Sequence, residues 1–515
     1  MRRKAKGWSM AVELGKQSIE TFSEVMYPYQ WPVIRICDAF SGMGYPMLTN
    51  CGGEGPSPRF SYLLYHEIGH QWFMGQVGSN QADRPFLDEG FTTHIEHIAV
   101  EKYLGRGNNF NVYDNWYQKK FEPPIEDRDE RGFRPLLLTM KKGYDKPMVF
   151  SYDQGEEYFP YRYSAYYKSA AMHYSLRSIL GDSAYFKAMH HYCSQWFFKH
   201  PYEDDFVKSM EEATGLELDQ YLDQWFYSRH RLDYAFDGKK STLIGSTYNH
   251  KIKLKRPGLF VAPIDLAVIW ETGDTSFYTV APEGMRYQKL GYELLPDWEQ
   301  FRRLNDKYEC TFTSDKKIKK VVLDPYHLLI DIDRTNNQSG LWWPTEVRLD
   351  NLKYDRTPVW QYALRLRPDI WYDIPNGVQL GFHAHGSYLE IEKKFSLDAR
   401  IGTKSERGLF DLEVSKPFEP FGNNSIVSNR ILRADRRTFW SNVYEKKFKP
   451  LFARTDFDLI RLELNYLNLS GSQDDRFDPL PNDAVKYLPE STWDAAETEY
   501  AVVKLGRMRT FRYGS

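Results

Sequence analysis

His66-Glu67-Ile68-Gly69-His70 holds the residues of this chain best suited to chemistry. On a helix, a spacing of i, i+4 puts both imidazoles on one face a turn apart, where they can ligate one ion with Glu67 beside them. After 18 intervening residues comes Glu89, within Leu87-Asp88-Glu89-Gly90-Phe91 at the predicted start of the next helix. His66, His70 and Glu89 then make a three-ligand set with the fourth position open, which suits one Zn2+ per chain. Such an ion is a Lewis acid that polarises a carbonyl and lowers the pKa of water to about 7. Glu67 is the base that takes the water's proton and returns it to a leaving amine. Ligand type alone does not separate zinc from another divalent ion. Asp88 and Glu96 are candidates to support the ligands from behind, and histidines that merely cap or pack a charged helix are the competing reading.

The elements that must position these groups follow from period and punctuation. Residues 8–26 read as a helix stopped by Tyr27-Pro28-Tyr29, and Val33 to Ile36 as a short strand. A Gly-rich turn region from Ser41 to Gly55 leads into helices predicted at about 61–77 and 87–104. Residues 164–227 read as several antiparallel helices punctuated at Gly181-Asp182 and Gly215. From about Leu232 the period becomes that of strands: Lys251–Lys255 and Ile264–Trp270 sit between Gly, Pro and Asp turns, as in a small β-sandwich ending near Asn336-Asn337. Beyond Trp342-Trp343-Pro344 the alternation continues. Val378, Leu380, Phe382 and Ala384 point one way, and Gln379, His383 and His385 the other. Segments of this kind with aromatic ends fit an outer-membrane β-barrel, and equally a half-buried soluble sheet.

The string His66-Glu67-Ile68-Gly69-His70-Gln71-Trp72-Phe73 followed by Glu89-Gly90-Phe91 resembles the membrane alanyl aminopeptidase-like gluzincins, the aminopeptidase N and leukotriene hydrolase group of zinc metallopeptidases. Tyr166-Tyr167-Lys168-Ser169-Ala170 is similar to that family's Tyr-x-Lys-Gly-Ala motif, whose tyrosine stabilises the oxyanion. The role falls on Tyr166, with Tyr163 and Tyr167 as alternatives because an aromatic stretch from Phe150 to Tyr163 lengthens the spacing; Ser169 replaces the glycine. The resemblance covers about residues 8–335. It implies a thermolysin-like, mostly helical catalytic domain with a helical cap over 1–232 and a β-sandwich over 233–337; with the antiparallel, partly barrel-like β region that strand alternation gives over 338–515, the chain reads as multidomain α+β. The resemblance also implies aminopeptidase-like hydrolysis of peptide substrates. The family's Gly-x-Met-Glu-Asn motif, whose glutamate holds the substrate's free amine, reads here Ser41-Gly42-Met43-Gly44-Tyr45. Gly42, Met43 and Gly44 therefore form a degenerate substrate-binding motif. Glu54 is a conceivable substitute, though its Gly-Gly-Glu-Gly setting reads more simply as a loop. The alternative is a catalytically impaired scaffold serving as a surface-anchored binding protein.

The barrel reading also draws on a resemblance to the tails of Gram-negative members of the family, around Trp371-Tyr372-Asp373, which implies outer-membrane association and a periplasmic or cell-surface location. The family's amino-terminal β domain is missing. Met1 to Lys6 is basic, but Glu13 and Lys16 interrupt the apolar run of an export signal, and Phe511–Ser515 reads as a break rather than a closing strand. These features read as a piece of a longer product.

Composition sets the limits. Lys plus Arg at 68 against Asp plus Glu at 70 gives no polycation for nucleic acid. Four cysteines exclude a disulfide scaffold, leaving one conceivable bridge, Cys37 to Cys51. His94 and His97 are expected behind the site or at the surface. His190 and His191 have no carboxylate at ligand spacing, and His383 and His385 read as a polar strand face rather than a metal site.

Overall fold

A computed structural model describes residues 8–39, 42–52, 58–105, 125–149, 161–298, 305–340, 343–350, 357–374, 376–404, 408–417, 425–434, 437–448, 458–470 and 497–509. Glu54 and the stretch 150–160 lie outside the described residues. The chain forms two compact units, one of residues 1–343 with 358–360, the other of 344–357 with 361–515.

In the first unit, α1 (Ala11–Val25) buries Leu14, Ser18 and Phe22. A small sheet follows, of β1 (Arg35–Asp38), β2 (Met43–Tyr45) and β3 (Leu48–Cys51), with β3 central, parallel to β1 and antiparallel to β2. Asp38 pairs with Cys51 and Cys37 with Asn50, so the two cysteines are one register step apart and face opposite sides. Cys37 is exposed, Cys51 is buried, and neither is bridged, which corrects the conceivable disulfide.

Helix α2 (Pro58–Gly69) carries His66 and Glu67, and ends eight residues before the predicted Val77. Met74 is left-handed, with φ 101°, and the backbone closes wider turns in which Gly75 N donates to His70 O and Gln76 N to Gln71 O. His70 keeps its helical spacing because its N–H still donates to His66 O, at 3.3 Å. Helix α3 (Glu89–Leu104) is buried along most of its first ten residues. Two π-helical segments, Arg128–Phe133 and Arg162–Lys168, run into α4 (Arg134–Lys141) and α5 (Ser169–Leu180). Then come α6 (Asp182–Trp196), α7 (Glu203–Thr214) and α8 (Asp219–Tyr227), with Gly181 and Gly215 at the breaks in positive-φ conformations.

The strands that follow are β4 (Ala235–Ile244), β5 (Thr247–Lys255), β6 (Ile264–Trp270), β7 (Thr275–Val280), β8 (Tyr292–Leu294), β9 (Lys307–Ser314) and β10 (Ile318–Leu323). They make a three-stranded sheet, β4-β5-β9, and a four-stranded one, β10-β6-β7-β8. Ile252, Leu254, Tyr308 and Cys310 alternate inward, while β6 is buried along nearly its whole length.

The second unit is one nine-stranded sheet in chain order: β11 (Thr345–Leu349), β12 (Tyr362–Asp373), β13 (Gly377–Tyr388), β14 (Glu392–Gly402), β15 (Gly408–Pro417), β16 (Ser425–Ala434), β17 (Arg437–Phe448), β18 (Asp458–Ser470) and β19 (Glu497–Arg509). Only β11 and β12 pair in parallel. Among the described residues β11 and β19 do not pair, so the sheet is open and the barrel-like expectation is corrected to that extent.

What brings α3 onto the Arg162–Lys168 segment is a glycine. A Cβ on Gly90 would lie 2.1 Å from Ser169 Cβ and Oγ and 2.7 Å from Ala165 O. Ser169 Oγ donates instead to Phe86 O at 2.9 Å. Gly90→Ala is expected to force these elements apart, costing about 1–3 kcal/mol and lowering the first thermal transition. Adding Ser169→Gly should recover part of the loss, and a Gly90→Ala chain that melts like the parent would refute the close-packing account.

Candidate metal centre

The ligand-type atoms of His66, His70 and Glu89 all lie within 4.8 Å of one another. His66 Nε2 is 3.1 Å and His70 Nε2 3.3 Å from Glu89 Oε2, so an imidazole from the last turn of α2, another from the residue just past it and a carboxylate from the first residue of α3 converge on one point. The other ring nitrogens are held from behind: His70 Nδ1 is 2.5 Å from Asp88 Oδ1, and His66 Nδ1 is 3.1 Å from Glu96 Oε2. Asp88 also accepts from Gln81 Nε2 at 2.6 Å, and Glu96 is clasped by Arg131. Carboxylates behind both imidazoles fix the ring orientation and leave each Nε2 directed inward, which is the donor set and setting that a zinc ion requires.

The field favours a cation between these groups. Burial lowers His66, but hydrogen bonds to Glu89 and Glu96 overcome it and raise the imidazole to about 9. At His70 burial is likewise outweighed by Asp88 and Glu89, and the shift is upward. Burial pushes Glu89 up, yet both imidazoles pull it far below the usual carboxylate range. Glu96 is brought to about 2, with burial opposed first by the charge of Arg131.

Glu67 is 7% exposed, and burial raises its carboxyl against the pull of His66 and His70, a direction suited to proton transfer. Tyr166 stacks on the His66 ring, with centroids 5.8 Å apart and planes 13° from parallel, and its phenol lies in the field of Glu89. Burial and the Glu89 charge drive its phenol far upward, so it remains a donor. Tyr163 and Tyr167 pack on each other, at 5.8 Å, and Tyr167 meets Arg162. Of the three tyrosines, Tyr166 is therefore the one beside His66, a choice made by the π-helical winding.

The degenerate motif lies flush against the site. Gln71 pins it, accepting from Met47 N at 2.8 Å and donating to Tyr45 O at 2.8 Å. A Cβ at Gly42 would fall 1.9 Å from Glu67 Oε1, and one at Gly44 would fall 2.8 Å from His70 Cβ and 3.0 Å from Met74 Cε. A glutamate at Gly44 thus cannot enter without moving the strand or the ligand. Met43 is exposed.

His94 and His97 do not join the ligands, and the surface expectation is corrected: both are 1% exposed. His94 stacks on His173 at 5.2 Å, and burial lowers both. His191 meets Glu212 at the surface, and His190 packs on Tyr27. Arg131 was missed in the sequence: no spacing links it to the motif, and its π-helical segment has no sequence signature.

A helix-borne His2Glu centre with an adjacent glutamate and tyrosine is of the metallopeptidase type. Residues 57–225 match the Peptidase family M1 domain, a segment shorter than half of the chain. Aminopeptidase N of Lactobacillus helveticus is 23% identical over 163 residues, covering 32% of this chain and 18% of that protein. A leukotriene A-4 hydrolase homolog of Botryotinia fuckeliana is 24% identical over 229 residues, covering 41% of this chain and 33% of the relative. Among solved structures, aminopeptidase A of Legionella pneumophila in complex with aspartic acid aligns at 15% identity and a TM-score of 0.43, covering 64% of this chain and 35% of that one. The chain spans well under half the length of each of these relatives.

Asp88→Asn and Glu96→Gln are each expected to weaken zinc binding about 10–100-fold with the three ligands intact, as read by competition with a chromophoric chelator. Unchanged affinity in both would remove the supporting role assigned to these carboxylates.

Proposed function

We propose that the chain hydrolyses peptide bonds in a zinc-dependent reaction. The observation that carries this is the convergence of His66 Nε2, His70 Nε2 and Glu89 Oε2, with Glu67 and Tyr166 at its edge. Zinc, when bound, supplies Lewis-acid polarisation of the scissile carbonyl and acidifies water. Glu67, buried beside His66 and raised, takes a proton from the attacking water and delivers it to the leaving amine. Tyr166 donates its O–H to the oxyanion as that charge develops. Asp88, Glu96 and Arg131 keep the two imidazoles in register with Glu89.

Gly44 supports a broader reading than an aminopeptidase. An ammonium group needs a carboxylate partner, and its loss costs on the order of 2–5 kcal/mol. Peptides with blocked amino termini are then substrates alongside free ones. The second reading, an impaired binding scaffold, draws on the same glycine.

Glu67→Gln should lower kcat about 10²–10⁴-fold with zinc retained. Tyr166→Phe should lower it about 10²–10³-fold with little change in KM. The assay pairs a free-amine aminoacyl substrate with an amino-blocked quenched peptide. Glu67-dependent cleavage of either supports the peptidase, and cleavage of neither by zinc-loaded chain leaves the scaffold. A free-amine preference above roughly 30-fold would overturn the broader specificity.

We propose also that the nine-stranded sheet contacts lipid. Ile370, Leu380 and Ile401 are cross-strand neighbours on one face, with exposures of 69%, 48% and 55%. Phe410, Ile431 and Leu462 extend the exposed apolar face. The other face is laced by Arg400–Asp369, Arg400–Asp398 and Arg430–Asp411 pairs. An apolar face opposite an ionic one is the distribution of a membrane-spanning sheet, and strands of 10–13 residues from β12 onward suffice when tilted. The full chain should stay monodisperse in octyl glucoside and aggregate on its removal. Monodispersity in plain buffer at micromolar concentration would refute lipid contact.

A further inference from the structure

The polar face of the sheet brings together residues that the sequence does not. Asp350, directly after β11, has its backbone N–H on Leu366 O of β12, which sets its side chain beside β12 and β13. Arg367 and His383 are cross-strand partners, and so are His383 and Asp398. The row Asp350, Arg367, His383, Asp398 therefore runs from the end of β11 across β12, β13 and β14, with His385 two residues along from His383 on the same face.

We propose that Asp350, His383 and His385 form a second metal site, for Zn2+ or another imidazole-preferring divalent cation. Their ligand atoms all lie within 4.8 Å of one another. His383 Nδ1 is 2.8 Å from Asp398 Oδ1, which directs Nε2 away, toward His385 Nδ1 at 3.2 Å. Two nitrogens on one tetrahedral zinc stand about 3.3 Å apart. Asp350 Oδ2 is 4.0 Å from His385 Nδ1 and accepts from Arg367 Nη1 at 2.8 Å. A sub-ångström closure of Asp350 completes a two-histidine, one-carboxylate set with open positions. Asp398 stands behind His383 as a carboxylate stands behind each imidazole of the first centre.

The surrounding charge permits a cation. Arg348, Arg365, Arg367 and Arg400 are paired with Glu346, Asp350, Asp369 and Asp398, four guanidiniums against four carboxylates, so the paired charges around the cluster balance. The cluster is open to water at His385, whose side chain is 37% exposed. A cavity of about 490 Å³ is bounded by His385, Ser387, Glu390, Lys394 and Glu413. An ion there ties the end of β11, which pairs in parallel with β12, to β13 two strands away.

The test is zinc stoichiometry of the full chain, chelator-stripped, reloaded with Zn2+ and passed through gel filtration before elemental analysis. Two ions per chain are expected in the parent, and one in His66→Ala/His70→Ala. One is also expected in His383→Ala/His385→Ala, with turnover per chain unchanged. Asp398→Asn, which preserves the shape of the ladder, should weaken the second of two titrated sites about 10–100-fold. No zinc in the His66→Ala/His70→Ala chain, or a single site insensitive to Asp398→Asn, would reduce the pair to an N–H···N hydrogen bond and overturn the proposal.

Discussion

Three carboxylates and two imidazoles packed into a site where Asp88, Glu96 and His70 are at most 7% exposed impose the constraint that the surrounding helices must satisfy. Removing one member of such a cluster leaves an uncompensated charge in a poor solvent, at a cost of several kcal/mol. That cost explains why so much structure is committed to holding the partners still. Arg131 neutralises Glu96 from a π-helical segment, Gln81 takes the second oxygen of Asp88, and Gly90 lets α3 approach Ser169 closely while Tyr166 stacks on His66. The helical packing is, in this sense, a device for keeping opposite charges in contact.

Legibility in the sequence followed the range of the interaction. His66, Glu67 and His70 could be read because four-residue spacing has a fixed geometrical meaning on a helix. That meaning survived an error in the helix end, since the His70 N–H to His66 O bond persists where α2 gives way to wider turns. Asp88 and Glu96 were visible only as nearby acids, because which imidazole each meets depends on how α3 lies against α2. Tyr163, Tyr166 and Tyr167 could not be separated, since an α-helix and a π-helix turn different tyrosines to the same side and composition does not announce the π form. Cys37 and Cys51 looked like a possible pair until the parallel register of β1 and β3 put them on opposite faces.

The same limit governs the sheet. Strand alternation along β13 was apparent and assigned His383 and His385 to one face, but Asp350 reaches them only through the parallel β11–β12 pairing. Parallel pairing requires a crossover rather than a tight turn, and local signals do not encode its register. The region expected to be barrel-like is, in its described strands, an open sheet whose two faces differ sharply in polarity.

The two clusters share a design and differ in what stands in for an ion. Each holds an imidazole Nδ1 against a carboxylate so that the other nitrogen points at its partners. In the helical centre the described residues place no arginine on Glu89, and the cations facing it are the imidazoles themselves, so a divalent ion competes with their protons. In the sheet, Arg367 already occupies Asp350, and the ion must draw the carboxylate away from a guanidinium that never gives up its charge. His385 is also far more open to water than His70. Screening and competition both act on the sheet cluster and spare the buried one, so the helical centre fills first as metal is supplied and the sheet cluster only at higher free-metal concentrations.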